Sequence, residues 1–183
     1  MWLVLCLVWI TAEIRLARSR ARIDDIQISE QRSQGRLWFF IVTGLGLALL
    51  FKTLGWTPIP IDYLPRQFLA LLLFLAGLFL RYQAVVKLAD FFTTHVSIQH
   101  QHQLVVDGPY RYLRHPAYTG LLLALFATGL AMGDLLALLI LLLTSFWALA
   151  ARIAIEEKML VDKFGKTYID YCSTTWKLLP GFY

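Results

Sequence analysis

The amino-acid sequence predicts an all-α integral membrane protein of about five transmembrane helices, with a polar pocket on the cytoplasmic side made by the last helical hairpin, the loop before it and the C-terminal helix. Three observations carry this prediction. Of 183 residues, 58% are hydrophobic and only 16% charged, an apolar share above that of ordinary soluble domains. The apolar residues fall into five runs, each near the roughly 20 residues that cross a bilayer. Lysine and arginine alternate between the gaps that separate those runs.

In chain order, the spans are expected at residues 2–16, 37–54, 67–86, 118–132 and 135–151. The first opens on "MWLVLCLVWITAEIRLARSR", which has no basic stretch before its apolar run and no small-x-small cleavage pattern, so it reads as a retained helix. The fourth and fifth are joined only by Gly133 and Asp134, which predicts a tight helical hairpin. Arg18, Arg20, Arg22, Arg32 and Arg36 follow the first span, Arg81 near the end of the third is counted with Lys87, Arg111 and Arg114 after it, and Arg152, Lys158, Lys163, Lys166 and Lys177 follow the fifth; the opposite side holds Lys52 and Arg66. Fourteen against two, with Arg15 inside a span, predicts the N-terminus outside and three cytoplasmic segments: 18–36, 87–117 and the tail. The chain reads as one membrane domain, 1–183, with an N-terminal three-helix part (1–90) and a polar-residue-bearing part (91–183).

The net charge of +5 is spread between apolar runs and forms no surface-scale cluster, so it reads as topology signals and headgroup contacts, not as a nucleic-acid interface. Cys6 and Cys172 are too few and too far apart for a disulfide framework or a thiolate metal site. His95, His100 and His102 lack a carboxylate or cysteine companion at ligand spacing, and no metal is expected.

The polar residues that invite a functional reading lie in "GPYRYLRHPAYTG", residues 108–120, and "ARIAIEEKMLVDKFGKTYIDY", residues 151–171. Leu104 to Val106 reads as a short extended segment, and Asp107-Gly108-Pro109 as a turn. Pro116 suits a first helical turn, where its missing N–H costs nothing, so a helix is predicted to start at His115 or Pro116, with Tyr118 three residues on. Arg152 and Glu156 are spaced i, i+4 on one helical face, beside Glu157. A hairpin folded at Gly133 would bring all four together. The ordinary alternatives are a snorkelling Arg152 paired with its neighbouring acids, a helix-capping or interfacial His115, and an aromatic belt formed by Tyr110, Tyr112, Tyr118 and Trp176.

These two motifs, the apolar hairpin between them and the closing "LLP" resemble the isoprenylcysteine carboxyl methyltransferase family, small prokaryotic members included, and more distantly the phospholipid N-methyltransferases. The resemblance covers about residues 95–180; the first 90 match only in hydropathy. It implies a cytoplasmic cofactor pocket and methyl transfer from S-adenosylmethionine at the membrane face. It also implies that His102, Gln103, Leu104 and Val105, with Tyr110, His115, Pro116, Ala117, Tyr118 and Glu156, contact that cofactor, and that Arg152 is the catalytic and substrate-binding residue facing the methyl acceptor. The loop from Thr94 to His102 is shorter than in the eukaryotic enzymes, and Ile98 or Gln99 is the candidate to replace a contact made there.

The residue types suit this chemistry. Glu156 suits the cofactor's ammonium, helix-start N–H groups or His115 its carboxylate, and aromatic faces its sulfonium. A carboxylate acceptor is already a nucleophile, so alignment by Arg152 and exclusion of water suffice; an amine acceptor needs a base, for which Glu157 or His115 is available. The expected partners are a lipophilic small-molecule or lipid-like methyl acceptor and the membrane lipids. Three alternatives stand beside this reading: a phospholipid N-methyltransferase, a membrane reductase of related architecture using NADPH, and a non-enzymatic membrane scaffold. In the tail, Phe164, Tyr168 and Tyr171 predict an amphipathic helix that covers the pocket or lies on the interface.

Overall fold

A computed structural model of the chain describes residues 28–88 and 104–181, together with Trp2, Leu5, Trp9, Thr11 and Glu13. Those five N-terminal residues are helical. They are followed by α1 (Ile28–Leu54), α2 (Tyr63–Leu88), a 3-10 turn (Gly108–Arg111), α3 (Pro116–Met132), α4 (Leu135–Phe164) and α5 (Lys166–Thr174). The described residues form no strand, only two isolated backbone bridges.

Three described helical stretches are long and apolar enough to cross a membrane: Gly35–Leu54, Tyr63–Leu88 and Leu135–Phe164. Pro116–Met132 is apolar but shorter, about 26 Å at 1.5 Å per residue. The first expected span falls mostly outside the described residues. Two expected boundaries move. Arg32 and Arg36, read from the sequence as part of a basic linker, lie within α1. The expected fifth span does not stop at Ala151: α4 continues to Phe164, because apolar residues recur at i, i+4 spacing (Leu149 and Ile153, Ile155 and Met159, Leu160 and Phe164) with no glycine or proline before Gly165.

Between lipid-facing helices there is little hydrophobic driving force, and close packing depends on small residues. On α2, Ala70, Gly77 and Ala84 recur every seven residues and are buried with Phe74 and Val85. Their partner is α3. At the crossing, a Cβ on Gly77 would lie 2.7 Å from the Gly120 carbonyl oxygen and 2.8 Å from the Ala124 nitrogen, so the backbones of α2 and α3 touch. Around α4, Leu141, Ala148 and Leu149 pack with Leu37, Ile41 and Ala48 of α1 and with Leu121 and Leu125 of α3.

Both ends of this bundle are sewn by loops. At one end Gly133 adopts the left-handed conformation (φ 79°) that closes α3, its N–H donating to the Leu130 carbonyl. Asp134 then caps α4, accepting from Ala137 N at 2.9 Å through Oδ1 and from Thr57 N at 3.0 Å through Oδ2. Thr57 returns the bond by accepting from Leu135 N at 2.8 Å, and Ile59 N donates to the Gly133 carbonyl at 2.9 Å. The loop after α1 is thereby stitched to the hairpin turn.

At the other end the chain after α5 lies alongside the start of α3. Trp176 bridges Leu113 in parallel register. Trp176 N donates to the Tyr112 carbonyl, Arg114 N to the Trp176 carbonyl and His115 N to the Lys177 carbonyl, at 3.0, 2.8 and 3.2 Å. Thr119 Oγ1 donates to the Leu178 carbonyl at 2.7 Å. This C-terminal strap holds residues 112–119 in place.

Candidate functional site

The site begins with His115, whose carbonyl starts α3 by accepting from Tyr118 N and Thr119 N, both at 3.0 Å. Pro116 at the first helical position and the strap bonds at Arg114 and His115 leave this residue little freedom. Its imidazole is buried, 4% exposed, and stacks on the Tyr118 ring with centroids 5.7 Å apart and planes 21° apart.

From α4 come Arg152, also 4% exposed, and Glu156 one turn later. The Tyr118 hydroxyl joins them: it donates to Glu156 Oε2 and accepts from Arg152 Nε, both at 2.9 Å. His115 Nδ1 lies 3.9 Å from the same Glu156 oxygen. The four groups expected to converge across the hairpin therefore do, Arg152 and Glu156 on the phenol oxygen and His115 against the face of its ring. A neutral hydroxyl suits this position because it can give one bond and take another.

Glu157 points elsewhere. Its Oε2 pairs with Lys177 Nζ at 2.8 Å, and its Oε1 lies 3.4 Å from His115 Nε2 and 3.6 Å from Arg114 Nε. The two adjacent acids thus have separate surroundings, Glu156 beside Tyr118 and Glu157 among the strap cations.

The remaining expected contacts are placed as follows. His102 and Gln103 lie outside the described residues, as do Ile98 and Gln99. Leu104 and Val105 are half-buried in irregular chain, and Val105 packs against Ala84, Val85, Tyr110 and Ala117. Tyr110 is buried in that cluster with its hydroxyl 3.4 Å from the Ala84 carbonyl. Burial pushes its hydroxyl well above the ordinary tyrosine range, and Glu156 adds to the rise, so it stays neutral. The Tyr110 carbonyl accepts from the Tyr171 hydroxyl at 2.6 Å, which burial pushes up to about 12. Pro116 and Ala117 are buried at the helix start. In the tail, Tyr168 is buried and Phe164 ends α4, so the expected single amphipathic helix is divided at Gly165.

Two features were not anticipated from sequence. Arg81, counted only as a topology charge, donates through Nη1 to the Ala117 carbonyl at 3.0 Å and grips Glu13, with Nη2 to Oε2 at 2.7 Å and Nε on Oε1. Lys177 is the second; nothing local distinguishes it from the other tail lysines. For Arg81 a signal existed, since a charge within an otherwise apolar helix calls for a partner. Among the described residues no group of three or more histidines, cysteines and acids is placed to hold a metal ion.

Comparison with known proteins adds ancestry to this geometry. Residues 65–167 match the phospholipid methyltransferase family. A probable protein-S-isoprenylcysteine O-methyltransferase of Oryza sativa subsp. indica is 30% identical over 144 residues, covering 78% of this chain and 72% of the rice protein. The protein-S-isoprenylcysteine O-methyltransferase of Schizosaccharomyces pombe is 34% identical over 97 residues, covering 52% of this chain and 41% of its own. Among solved structures, that of the eukaryotic intramembrane Ras methyltransferase, isoprenylcysteine carboxyl methyltransferase, aligns with TM-score 0.60 and 25% identity over 85% of this chain and 54% of that one. The chain thus spans less than half of the fission-yeast relative and about half of the solved structure.

Proposed function

Because this chain belongs to the phospholipid methyltransferase family, we propose that it is a membrane methyltransferase that uses S-adenosylmethionine and acts on a lipophilic carboxylate of the isoprenylcysteine type. The observation that carries this reading is the Tyr118 hydroxyl shared between Glu156 and Arg152, inside the family-matched region and part-buried at the mouth of the hairpin.

The residues fit the cofactor in kind. Glu156 Oε2 is an acceptor suited to a cationic donor, with His115 Nδ1 3.9 Å from it. Tyr110, Ala117 and Val105 pack together as an apolar and aromatic cluster, and Leu104, Pro116, His102 and Gln103 complete the set of residues assigned to the cofactor. S-adenosylmethionine supplies a methyl group on a sulfonium, an electrophile that needs no metal. The work left to the chain is placement. Arg152 holds the acceptor carboxylate through its guanidinium, with Tyr118 fixing the direction of that guanidinium by accepting from Nε. Burial of Arg152 and His115 keeps water out, which strengthens these charged contacts and leaves the carboxylate poorly solvated and therefore nucleophilic. An ionised carboxylate has no proton to lose, so no base is required.

The alternation of lysine and arginine supports a cytoplasmic site with the N-terminus outside. The folded chain groups the ends of α2 and α4 with the start of α3, and the loop after α1 with the hairpin turn, as that orientation needs. The 91–183 part carries the cofactor residues and 1–90 the supporting helices.

The test is calorimetric titration of the purified, detergent-solubilised protein with S-adenosylhomocysteine, followed by transfer of labelled methyl from S-adenosylmethionine to a prenylcysteine carboxylate. Binding is expected, with affinity falling tenfold or more in Glu156→Gln, the equivalent of about 1.4 kcal/mol. No heat at millimolar ligand overturns the reading; binding without prenylcysteine methylation overturns the acceptor class alone.

A further inference from the structure

The mechanism above uses Glu156 and leaves its neighbour unexplained. Glu157 is buried deeply enough that its Oε1 reaches no solvent, yet that atom has no hydrogen-bond partner at ordinary length, and the same holds for His115 Nε2. The two orphans lie 3.4 Å from each other. At 3.4 Å the pair is longer than an ordinary hydrogen bond, and a proton on the nitrogen is the state in which a small closing movement gives each atom the partner it lacks.

The imidazole plane is held by stacking on Tyr118, and its backbone N–H is tied to the Lys177 carbonyl. In this plane the two ring nitrogens face different acids, Nε2 facing Glu157 and Nδ1 facing Glu156; a half-turn of the ring would present carbon edges to both. The carboxylate of Glu157 is itself anchored, by Lys177 at 2.8 Å and by Arg114 at 3.6 Å. A fixed carboxylate on one nitrogen dictates which tautomer a neutral histidine adopts.

We propose that Glu157 is a positioning residue that holds the His115 proton on Nε2 and so leaves Nδ1 as a lone-pair acceptor, paired with Glu156 for recognition of a cation. This rests on the cofactor reading above and changes one part of it. The sequence offered helix-start N–H groups or His115 for the cofactor's carboxylate; with its proton on Nε2 the ring is an acceptor and belongs to the ammonium. It also gives the Glu156-Glu157 pair a division of labour, one acid for the ligand and one for the histidine.

The experiment is nitrogen-15 spectroscopy of the full chain, histidine-labelled and ligand-free in detergent at pH 8, with the His115 signals identified by a His115→Asn control. The wild type should show a neutral ring with the proton on Nε2. Glu157→Leu should abolish that preference and weaken S-adenosylhomocysteine binding about tenfold, as for a lost charge-assisted hydrogen bond. Glu157→Gln, which keeps an acceptor oxygen, should retain the tautomer and most of the affinity. A proton on Nδ1 or on both nitrogens in the wild type overturns the proposal, as does an unchanged tautomer in Glu157→Leu or a Glu157→Gln no better than Glu157→Leu. If Glu157→Leu does not fold, the wild-type and Glu157→Gln spectra still decide. Failure of the wild type to bind S-adenosylhomocysteine defeats the cofactor reading instead, and leaves the tautomer measurement standing.

Discussion

The Tyr118 hydroxyl occupies a position that no other common side chain fills, because it must donate to an acid and accept from a guanidinium with its ring pressed against an imidazole. Tyr118→Phe keeps the stacking and removes both bonds. Its expected effect is a loss of about 1–3 kcal/mol in cofactor and acceptor binding together, read as a fall in kcat/KM of about fivefold to 150-fold. Asp134 offers a residue-scale test of stability. Burial acts to raise its pKa, but the hydrogen bonds from Ala137, Thr57 and Leu136 outweigh this and lower it. Its contribution is therefore complete above the ordinary carboxylate pKa of about 4 and is lost as pH falls through the lower folded value. Asp134→Ala should cost about 1–2 kcal/mol at pH 7, whereas Asp134→Asn should keep most of the cap and lose that acid dependence, both seen in thermal melts between pH 3 and pH 7.

Among the elements, the α2/α3 seam is the least forgiving. A Cβ on Gly120 would lie 2.7 Å from the Arg81 nitrogen, a backbone atom that cannot step aside. Gly120→Ala is expected to destabilise by about 1–3 kcal/mol, while Gly46→Ala, which meets open space on α1, should be neutral or gain up to about 1 kcal/mol from helix propensity. Measured side by side in detergent, the pair separates close packing from propensity. What was legible in the sequence follows the same division. The hairpin could be read from Gly133 and Asp134, the start of α3 from His115 and Pro116, and the Arg152/Glu156 face from their spacing, because each is a local signal. The length of α4 was understated because hydropathy falls at Arg152 while helical periodicity does not. The strap, Lys177 on Glu157 and Glu13 on Arg81 were not legible: they join residues 20 or more positions apart, and no period or turn residue marks such pairing.

At the scale of the whole molecule, two non-local ties hold the N-terminal and C-terminal segments against the bundle. Arg81 holds Glu13 to the seam, and Trp2 and Trp9 meet Phe74 edge-on at 5.6 and 5.8 Å. Both side chains are 12% exposed, so removing either charge strands the other in a mostly enclosed place: Arg81→Met or Glu13→Leu alone should lose about 1–3 kcal/mol, and the double substitution should recover much of it in a double-mutant cycle of thermal stability. At the site end, Trp176 through Leu178 close the molecule over α3. Between these ties α4 runs without a break from Asp134 to Gly165, about 45 Å at 1.5 Å per residue, longer than the roughly 30 Å of a bilayer's hydrocarbon. An unbroken screw transmits phase as well as distance. One residue inserted at Leu143 would turn everything beyond it by about 100°, carrying guanidinium and carboxylates around the cylinder and away from their phenol, although no side chain of the site had been touched.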